Sequence, residues 1–219
     1  MMNTVMAAAM ILTLSGAWHG NGGGRAVERE PLLRGGMFLV ASPNMADPRF
    51  QRTVILLADH GGPGVMGLII NRPTALDLTQ LFPDFKGTAG VDSAMHYGGP
   101  VSRFLFTMLI RSGEKPPPGN AARVFDGVYF TADLSTLFEL PAAKNLYARG
   151  YLGYAGWGPG QLEAELERGD WVLAPAKAEM VFRSAHETVW NELIEAYGGA
   201  RWVFPAFRVP SMAANARGR

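Results

Sequence analysis

Thr53-Val54-Ile55-Leu56-Leu57-Ala58, then Asp59-His60-Gly61-Gly62-Pro63-Gly64, then Val65-Met66-Gly67-Leu68-Ile69-Ile70-Asn71 is the stretch on which the fold turns. The two outer runs are apolar and rich in β-branched residues, the composition of strands buried in a sheet. Between them the glycines tolerate positive φ and Pro63 has no N–H to give to a ladder, so the chain reverses. The pattern predicts an antiparallel hairpin.

Working outward, the folded region begins near Gly35, where Met37 to Ala41 is a short apolar run bounded by Gly-Gly and by Ser42-Pro43. This reads as a buried strand. Arg72-Pro73 ends the second hairpin strand, and Leu78, Leu81 and Phe82 stand at helical spacing before Pro83. A short helix begun near Thr74 or Asp77 follows from that spacing.

Phe104 to Ile110 is a further apolar strand, and Pro116 to Gly119 is a solvated spacer. Asp126-Gly127 makes a tight turn or bulge between Val124-Phe125 and Val128 to Phe130, and Asp133 caps a helix that Pro141 closes. Leu146 to Ala155 enters the glycine-rich loop Gly156 to Gly160; Gln161 to Arg168 is a helix stopped by Gly169; Trp171 to Ala174 is strand again. In the last helix Val189, Trp190, Leu193, Ile194 and Tyr197 share one face before Gly198-Gly199. Hairpin-linked strands with helices inserted at intervals predict an α/β (α+β) fold, with a large mixed, mostly antiparallel β-sheet flanked by helices in a single compact domain.

With 219 residues, 48% of them hydrophobic and 18% charged, the chain can bury a sizeable core. The formal net charge is +1 and the basic residues are scattered, so no electrostatic footprint for nucleic acid is visible. With no Cys, disulfides, thiolate nucleophiles and thiolate metal sites are excluded.

The first 34 residues form an extension of different character, expected to be disordered or to follow from a start codon placed too far upstream, with a signal-like segment as the alternative. Val5 to Trp18 is nearly all apolar or small and resembles a signal-peptide core, with Ser15 and Ala17 as small residues near a cleavage point. No Lys or Arg precedes Arg25, so the cationic leading region is missing. At 1.5 Å per residue these residues would span about 21 Å as a helix, too short to cross a bilayer. The expectation is a folded domain over 35–209, a flexible tail over 210–219 and a cytoplasmic location, the alternative being export if residues 1–17 act as a signal peptide.

Asp47-Pro48-Arg49-Phe50, Thr53-Val54, His60, Gly67-Leu68-Ile69-Ile70-Asn71-Arg72-Pro73, Gly98-Gly99-Pro100-Val101 and Gly153-Tyr154-Ala155-Gly156-Trp157-Gly158-Pro159-Gly160-Gln161-Leu162 follow one another in an order that resembles the YqgE/AlgH family of bacterial proteins. Trp171 and Trp190 fit the same pattern, and the likeness runs from about Gly35 to Phe204. The resemblance implies an α/β fold with a large mixed sheet and a poorly defined function with a link to transcriptional regulation. It brings no agreed catalytic residues, and the extension before Gly35 departs from the usual family start.

The residues that carry candidate chemistry are Asp47, Arg52, His60, Asn71, Arg72, Gly98, Gly99, Pro100, Gly156, Trp157, Gly158 and Gly160. A strand–loop–helix passage such as Gly156 to Gly160 can hold a phosphate, but Pro159 removes an amide donor and Glu163 and Glu165 place negative charge near the helix start. The loop therefore reads as a structural turn, with Trp157 packed beside it or exposed for a partner. Arg72 can grip a carboxylate or phosphate; the plainer reading is that Asn71 caps a turn and Arg72 pairs with an acidic residue. His60 and His96 come from separate loops, so two imidazoles could meet in the folded chain.

His186-Glu187-Thr188-Val189-Trp190 resembles the start of a zinc-protease helix, yet Trp190 stands where the second His belongs. Ser42, Ser93 and Ser102 lack the context of an activated nucleophile. No metal or cofactor is expected. Two functions remain: a non-enzymatic binding or regulatory module for an unknown protein or small-molecule partner, or an enzyme or small-ligand sensor with a pocket lined by Asp47, Arg52, His60, Asn71, Arg72 and the Trp157 loop. Direct nucleic-acid binding is disfavoured by Glu187, Glu192 and Glu195 on the last helix.

Overall fold

The computed structural model describes residues 35–59, 64–113, 115–142 and 145–199. The extension 1–34, the hairpin tip with His60 and the tail 210–219 lie outside the described residues.

β1 (Met37–Ala41), β2 (Val54–Asp59) and β3 (Val65–Ile69) pair antiparallel in succession, with Ile55 opposite Ile69 and Leu56 opposite Leu68. The hairpin expected from 53–71 is present. After it, the helix expected from Thr74 is replaced at first by a short strand, β4 (Pro73–Asp77), paired with β5 (Ala94–Tyr97). Pro73 is tolerated because it is the first residue of its strand. Asp77 is the cap: its side chain accepts the Thr79 N–H at 2.8 Å, Gln80 answers by accepting the Asp77 N–H at 3.1 Å, and α1 (Leu78–Leu81) follows.

The remaining strands are β6 (Val101–Ser112), β7 (Ala122–Phe125), β8 (Val128–Thr131), β9 (Leu146–Trp157) and β10 (Trp171–Pro175). Their order is β10-β1-β2-β3-β9-β6-β8-β7. β5 joins β9 in parallel while the other pairings are antiparallel, which makes the sheet mixed. Helices α2 (Ser135–Glu139), α3 (Gln161–Glu167), α4 (Ala178–Val181) and α5 (His186–Tyr197) cover its faces. Among the described residues no helix is long and apolar enough to cross a membrane.

Side chains alternate between the two faces of a strand, and here both faces are covered. Phe38, Val40, Val54, Leu56 and Leu68 pack with Val181, Val189, Trp190 and Leu193 of α4 and α5. Leu39, Ala41, Ile55, Leu57 and Ile69 pack instead with Leu162 and Leu166 of α3 and with Trp157 and Trp171. Double coverage explains why these strands read as unbroken apolar runs rather than as alternating ones. Each such side chain, fully buried, contributes about 1.5–3 kcal/mol. Val124 of β7 and Val128 of β8 share the first cluster with Phe38 of β1, so the sheet curls back on itself. A third cluster, with Leu78, Met95, Phe106, Met108 and Leu137, fills the space under α1 and α2.

The glycine-rich passage differs from expectation at its start. Gly156 and Trp157 stay in β9, opposite Met66 and Val65, because the ladder with β3 continues to that point. Only Gly158 to Gly160 form the turn into α3.

Candidate functional site

The turn after β1 is built on Asp47, which accepts the Arg49 N–H at 2.9 Å and holds the Arg49 guanidinium on both carboxylate oxygens, the shortest contact being 2.6 Å. Those hydrogen bonds from Arg49 hold the Asp47 carboxyl below its ordinary pKa. Next to Arg49, Phe50 sets its ring edge against Trp171 at a centroid distance of 5.6 Å. A second strand of chain reaches the same place through Gly98-Gly99. The Ile69 N–H donates to the Gly98 carbonyl and the Gly98 N–H to Leu152, both at 2.9 Å. A Cβ on Gly99 would lie 2.2 Å from the Tyr154 carbonyl carbon, so only glycine lets this passage run against β9.

These two passages and the start of α3 enclose a cleft of about 450 Å³ whose wall includes Asp47, Phe50, Pro100, Gly156, Trp157 and Trp171. Its floor is organised by Glu165. One carboxylate oxygen accepts the indole N–H groups of Trp157 and Trp171, each at 2.8 Å, and the other accepts from Gln161 at 2.9 Å. Gln161 in turn accepts the Gly158 N–H at 3.1 Å, and Gly160, with φ of 74°, stands at the helix cap without a capping side chain of its own. Trp157 is thus packed inward, 5% exposed, rather than displayed. Glu165 works as a structural acceptor in a place where the sequence suggested only negative charge near a helix start. Nothing in the spacing of Trp157, Glu165 and Trp171 announces a shared hydrogen bond, which depends on α3 folding back over β9 and β10.

Replacing Glu165 by Leu leaves two largely buried indole donors without an acceptor. At about 1–3 kcal/mol for each orphaned group, the expected loss is about 3 kcal/mol. Glu165→Gln keeps an acceptor oxygen and is expected to recover more than half of it. Chemical denaturation followed by tryptophan emission measures both, and equal losses for Leu and Gln would refute this role.

Arg52, Asn71 and Arg72 do not converge on the cleft. Arg52, at φ of 56°, donates to Asn191 at 3.1 Å and lays its guanidinium over the Trp190 ring at 4.6 Å, fastening the turn to α5. Asn71 closes the end of the hairpin, accepting the Val54 N–H at 2.8 Å and donating to the Arg52 carbonyl at 2.9 Å. Among the described residues Arg72 pairs with no acidic side chain and instead donates to the carbonyls of Arg49 at 2.6 Å and Gln51 at 2.9 Å. The 47–53 turn presents those carbonyls to the strand end, and partial burial there lowers the Arg72 pKa. Asn71 and Arg72 are scaffolding for the turn that carries Asp47.

The sequence profile of the AlgH-like family matches residues 38–202. The chain belongs to the AlgH-like family. It is 36% identical over 170 residues to a UPF0301 protein of Chlorobium limicola, covering 76% of this chain and 88% of that one. A UPF0301 protein of Streptomyces coelicolor is 38% identical over 169 residues, covering 75% and 86%. Among solved structures, the AlgH protein from Pseudomonas aeruginosa matches with a TM-score of 0.57 at 32% identity over 76% of this chain and 89% of that one. A protein of Corynebacterium diphtheriae matches with a TM-score of 0.64 at 25% identity over 75% and 87%.

This AlgH-like chain also buries a polar cluster away from the cleft. Arg149 of β9, 3% exposed, donates to Asp92 at 3.0 Å, to the Val181 carbonyl at 2.6 Å and to the Arg183 carbonyl at 3.2 Å. Beside it His96 is fully buried, its Nδ1 lies 3.2 Å from the Ala94 carbonyl, and its ring meets that of His186 at 4.9 Å and Tyr151 at 5.6 Å. Burial, with Arg149 and His186 adding to it, lowers the His96 pKa to about 3. Burial pushes the Tyr151 phenol up to about 12. The imidazole that meets His96 is that of His186, from the helix whose motif had suggested zinc; His60 lies outside the described residues. Trp190 spends its indole N–H on the Ala41 carbonyl at 2.8 Å. Among the described residues no group of three or more metal-ligating side chains is assembled.

Proposed function

We propose that this AlgH-like chain is a non-enzymatic binding or regulatory module, folded over 35–209, that recognises a protein partner through the Asp47–Trp157–Trp171 cleft. The observation that carries the reading is the state of the cleft's carboxylates. Asp47 is bound to Arg49, Asp170 to Arg168 at 2.7 Å, and Glu165 to two indoles and Gln161. A general base needs a lone pair aimed at its substrate, and each of these carboxylates already holds a neighbouring donor. What they maintain is a concavity of fixed shape with the partly exposed Phe50 ring on its wall, as a recognition surface requires.

Glu187, Glu192 and Glu195 on α5 oppose phosphate, so an effect on transcription would be indirect. A volume of about 450 Å³ also falls in the range of small-molecule sites, which supports a small-ligand sensor as the second reading. Mass spectrometry of the native N-terminus separates a cytoplasmic location from export through residues 1–17.

The test is capture from the chain's own cells, comparing the native protein with Val101→Asp, a substitution at a partly exposed residue on the cleft rim. The expected result is a reproducible protein partner whose recovery falls at least about tenfold with the variant, equivalent to 1.4 kcal/mol. Recovery of the same partners by both proteins would remove the proposal. A small molecule retained by the native chain and lost by the variant would establish the second reading in its place.

A further inference from the structure

We infer that the cleft is occupied by a second copy of this chain, each copy seating its Arg103-Phe104 bulge in the cleft of the other. The inference rests on the reading of the cleft as a recognition surface and names its occupant.

The bulge is a departure from the sheet. Val101 of β6 stands opposite Tyr154 and Phe106 opposite Leu152, so β6 advances five residues where β9 advances two. The extra residues leave the ladder between these points, with Ser102 at φ of 45°. They carry Phe104 into solvent at 97% exposure, with Leu105 at 40% and Val101 at 36% beside it. Arg103 is exposed as well. Bulges of this kind re-aim side chains, and this one aims an aromatic ring away from its own core.

The bulge is also held in place. A Cβ on Gly153 would lie 2.9 Å from the Val101 carbonyl oxygen and 3.3 Å from the Arg103 Cα, so the bulge rests directly on the β9 backbone. A projecting group fixed beforehand loses little freedom on binding.

The cleft complements it in two respects. Phe50, partly exposed on the cleft wall and set edge to face against the buried Trp171 at a centroid distance of 5.6 Å, offers a surface of the kind that receives a further aromatic ring. Asp47 and Asp170 are neutralised by Arg49 and Arg168, while the donors to Glu165 among the described residues are neutral, which leaves the described lining with one net negative charge. Arg103 brings one positive charge.

Placement favours two copies over an unrelated partner. Val101 lines the cleft, and Phe104 is three residues further on, at most roughly 11 Å away along the chain. Knob and hole therefore lie within roughly 11 Å of each other, a closeness that suits a twofold contact, in which the same patch acts as donor and receiver at once. The contact is small, and the expected affinity is correspondingly weak, in the roughly micromolar range.

Sedimentation velocity of the full chain over a wide concentration range tests this. The native protein is expected to pass from monomer to dimer as concentration rises. Phe104→Ser and Arg103→Glu, both on exposed positions away from the core, are expected to raise the dimer dissociation constant at least about tenfold. Adding Glu165→Gln to Arg103→Glu should recover part of that loss by removing the like-charge contact. A native chain that stays monomeric throughout overturns the inference, as does association unchanged in both single variants. If the native chain is monomeric but still captures a different protein in a manner sensitive to Val101→Asp, the inference falls and the recognition reading stands; if that capture also fails, both fall.

Discussion

Arg149→Met is expected to lower the free energy of unfolding by about 3 kcal/mol, since two carbonyls and the partly exposed Asp92 carboxylate lose their donor at about 1 kcal/mol each. For a domain of this size that corresponds to a fall in melting temperature of about 10 °C. Arg149 comes from the middle of β9 and reaches three separate acceptors: Asp92 ahead of β5, the Val181 carbonyl at the end of α4, and the Arg183 carbonyl on the way to α5. Methionine fills a similar volume but donates nothing, so one carboxylate and two carbonyls lose their donor together. Lysine is not an equivalent replacement, because its compact ammonium cannot reproduce the flat fork that spans the three acceptors. Combining Arg149→Met with Asp92→Asn removes the orphaned charge and should return part of the stability, leaving the cost at the two carbonyls. Denaturant unfolding of the three proteins gives the numbers. A loss under about 1 kcal/mol for the single variant would mean that the α4–α5 connection is held by its apolar contacts alone.

Arg149 also marks the boundary of what can be read from the chain in one dimension. The apolar runs of β1, β2, β3 and β6, the Asp126-Gly127 turn and the one-sided face of α5 follow from spacing and composition, because each is decided by its own residues. β4 and β5 do not. Pro73 to Asp77 carries Pro at its start and is mostly exposed, and Ala94 to Tyr97 is four residues containing a buried His, so neither has a strand's apolar signature. They are strands because β9 offers β5 a parallel edge, a long-range condition invisible in a short window. α4, four residues long, is too brief for helical periodicity to register.

The site divides in the same way. Asp47, Pro100, Gly156 and Trp157 do meet around one cleft, and the glycines at 98 and 99 are there because backbone approaches backbone. Arg52, Asn71 and Arg72 stand out as polar residues at strand ends for a different reason: they satisfy the turn's own carbonyls and amides. A polar side chain beside a strand terminus has the same sequence appearance whether it serves a ligand or the backbone, and only the partner's position tells them apart. Glu165 shows the converse, since its two indole partners are six and eight residues away and belong to different strands.

Acidification is expected to destabilise this protein well before its carboxylates titrate, and His96 is the reason. Its imidazole is enclosed by the Arg149 guanidinium and the Tyr151 ring from β9, by His186 from α5, and by Asp92 and the Ala94 carbonyl from its own side of the sheet. Loss of hydration disfavours the imidazolium most, the Arg149 charge adds to this, and the pKa falls from 6.5 to about 3. His186 is depressed in the same direction, by burial first and Arg149 second. The unfolded chain therefore binds protons at these positions from about pH 6.5 downward while the folded chain does not. Stability is fully present above that pH and declines as pH falls toward 3, each unit of depression being worth about 1.4 kcal/mol. His96→Leu removes the larger contribution and is expected to flatten the dependence between pH 6.5 and 4, leaving the smaller slope from His186. Urea unfolding across that range measures the slope, and the ring carbon shifts of His96 by NMR report its protonation directly. A His96 that titrates near 6.5 in the folded protein, or a slope unaltered by His96→Leu, would show that the imidazole is hydrated and that another group sets the acid limit.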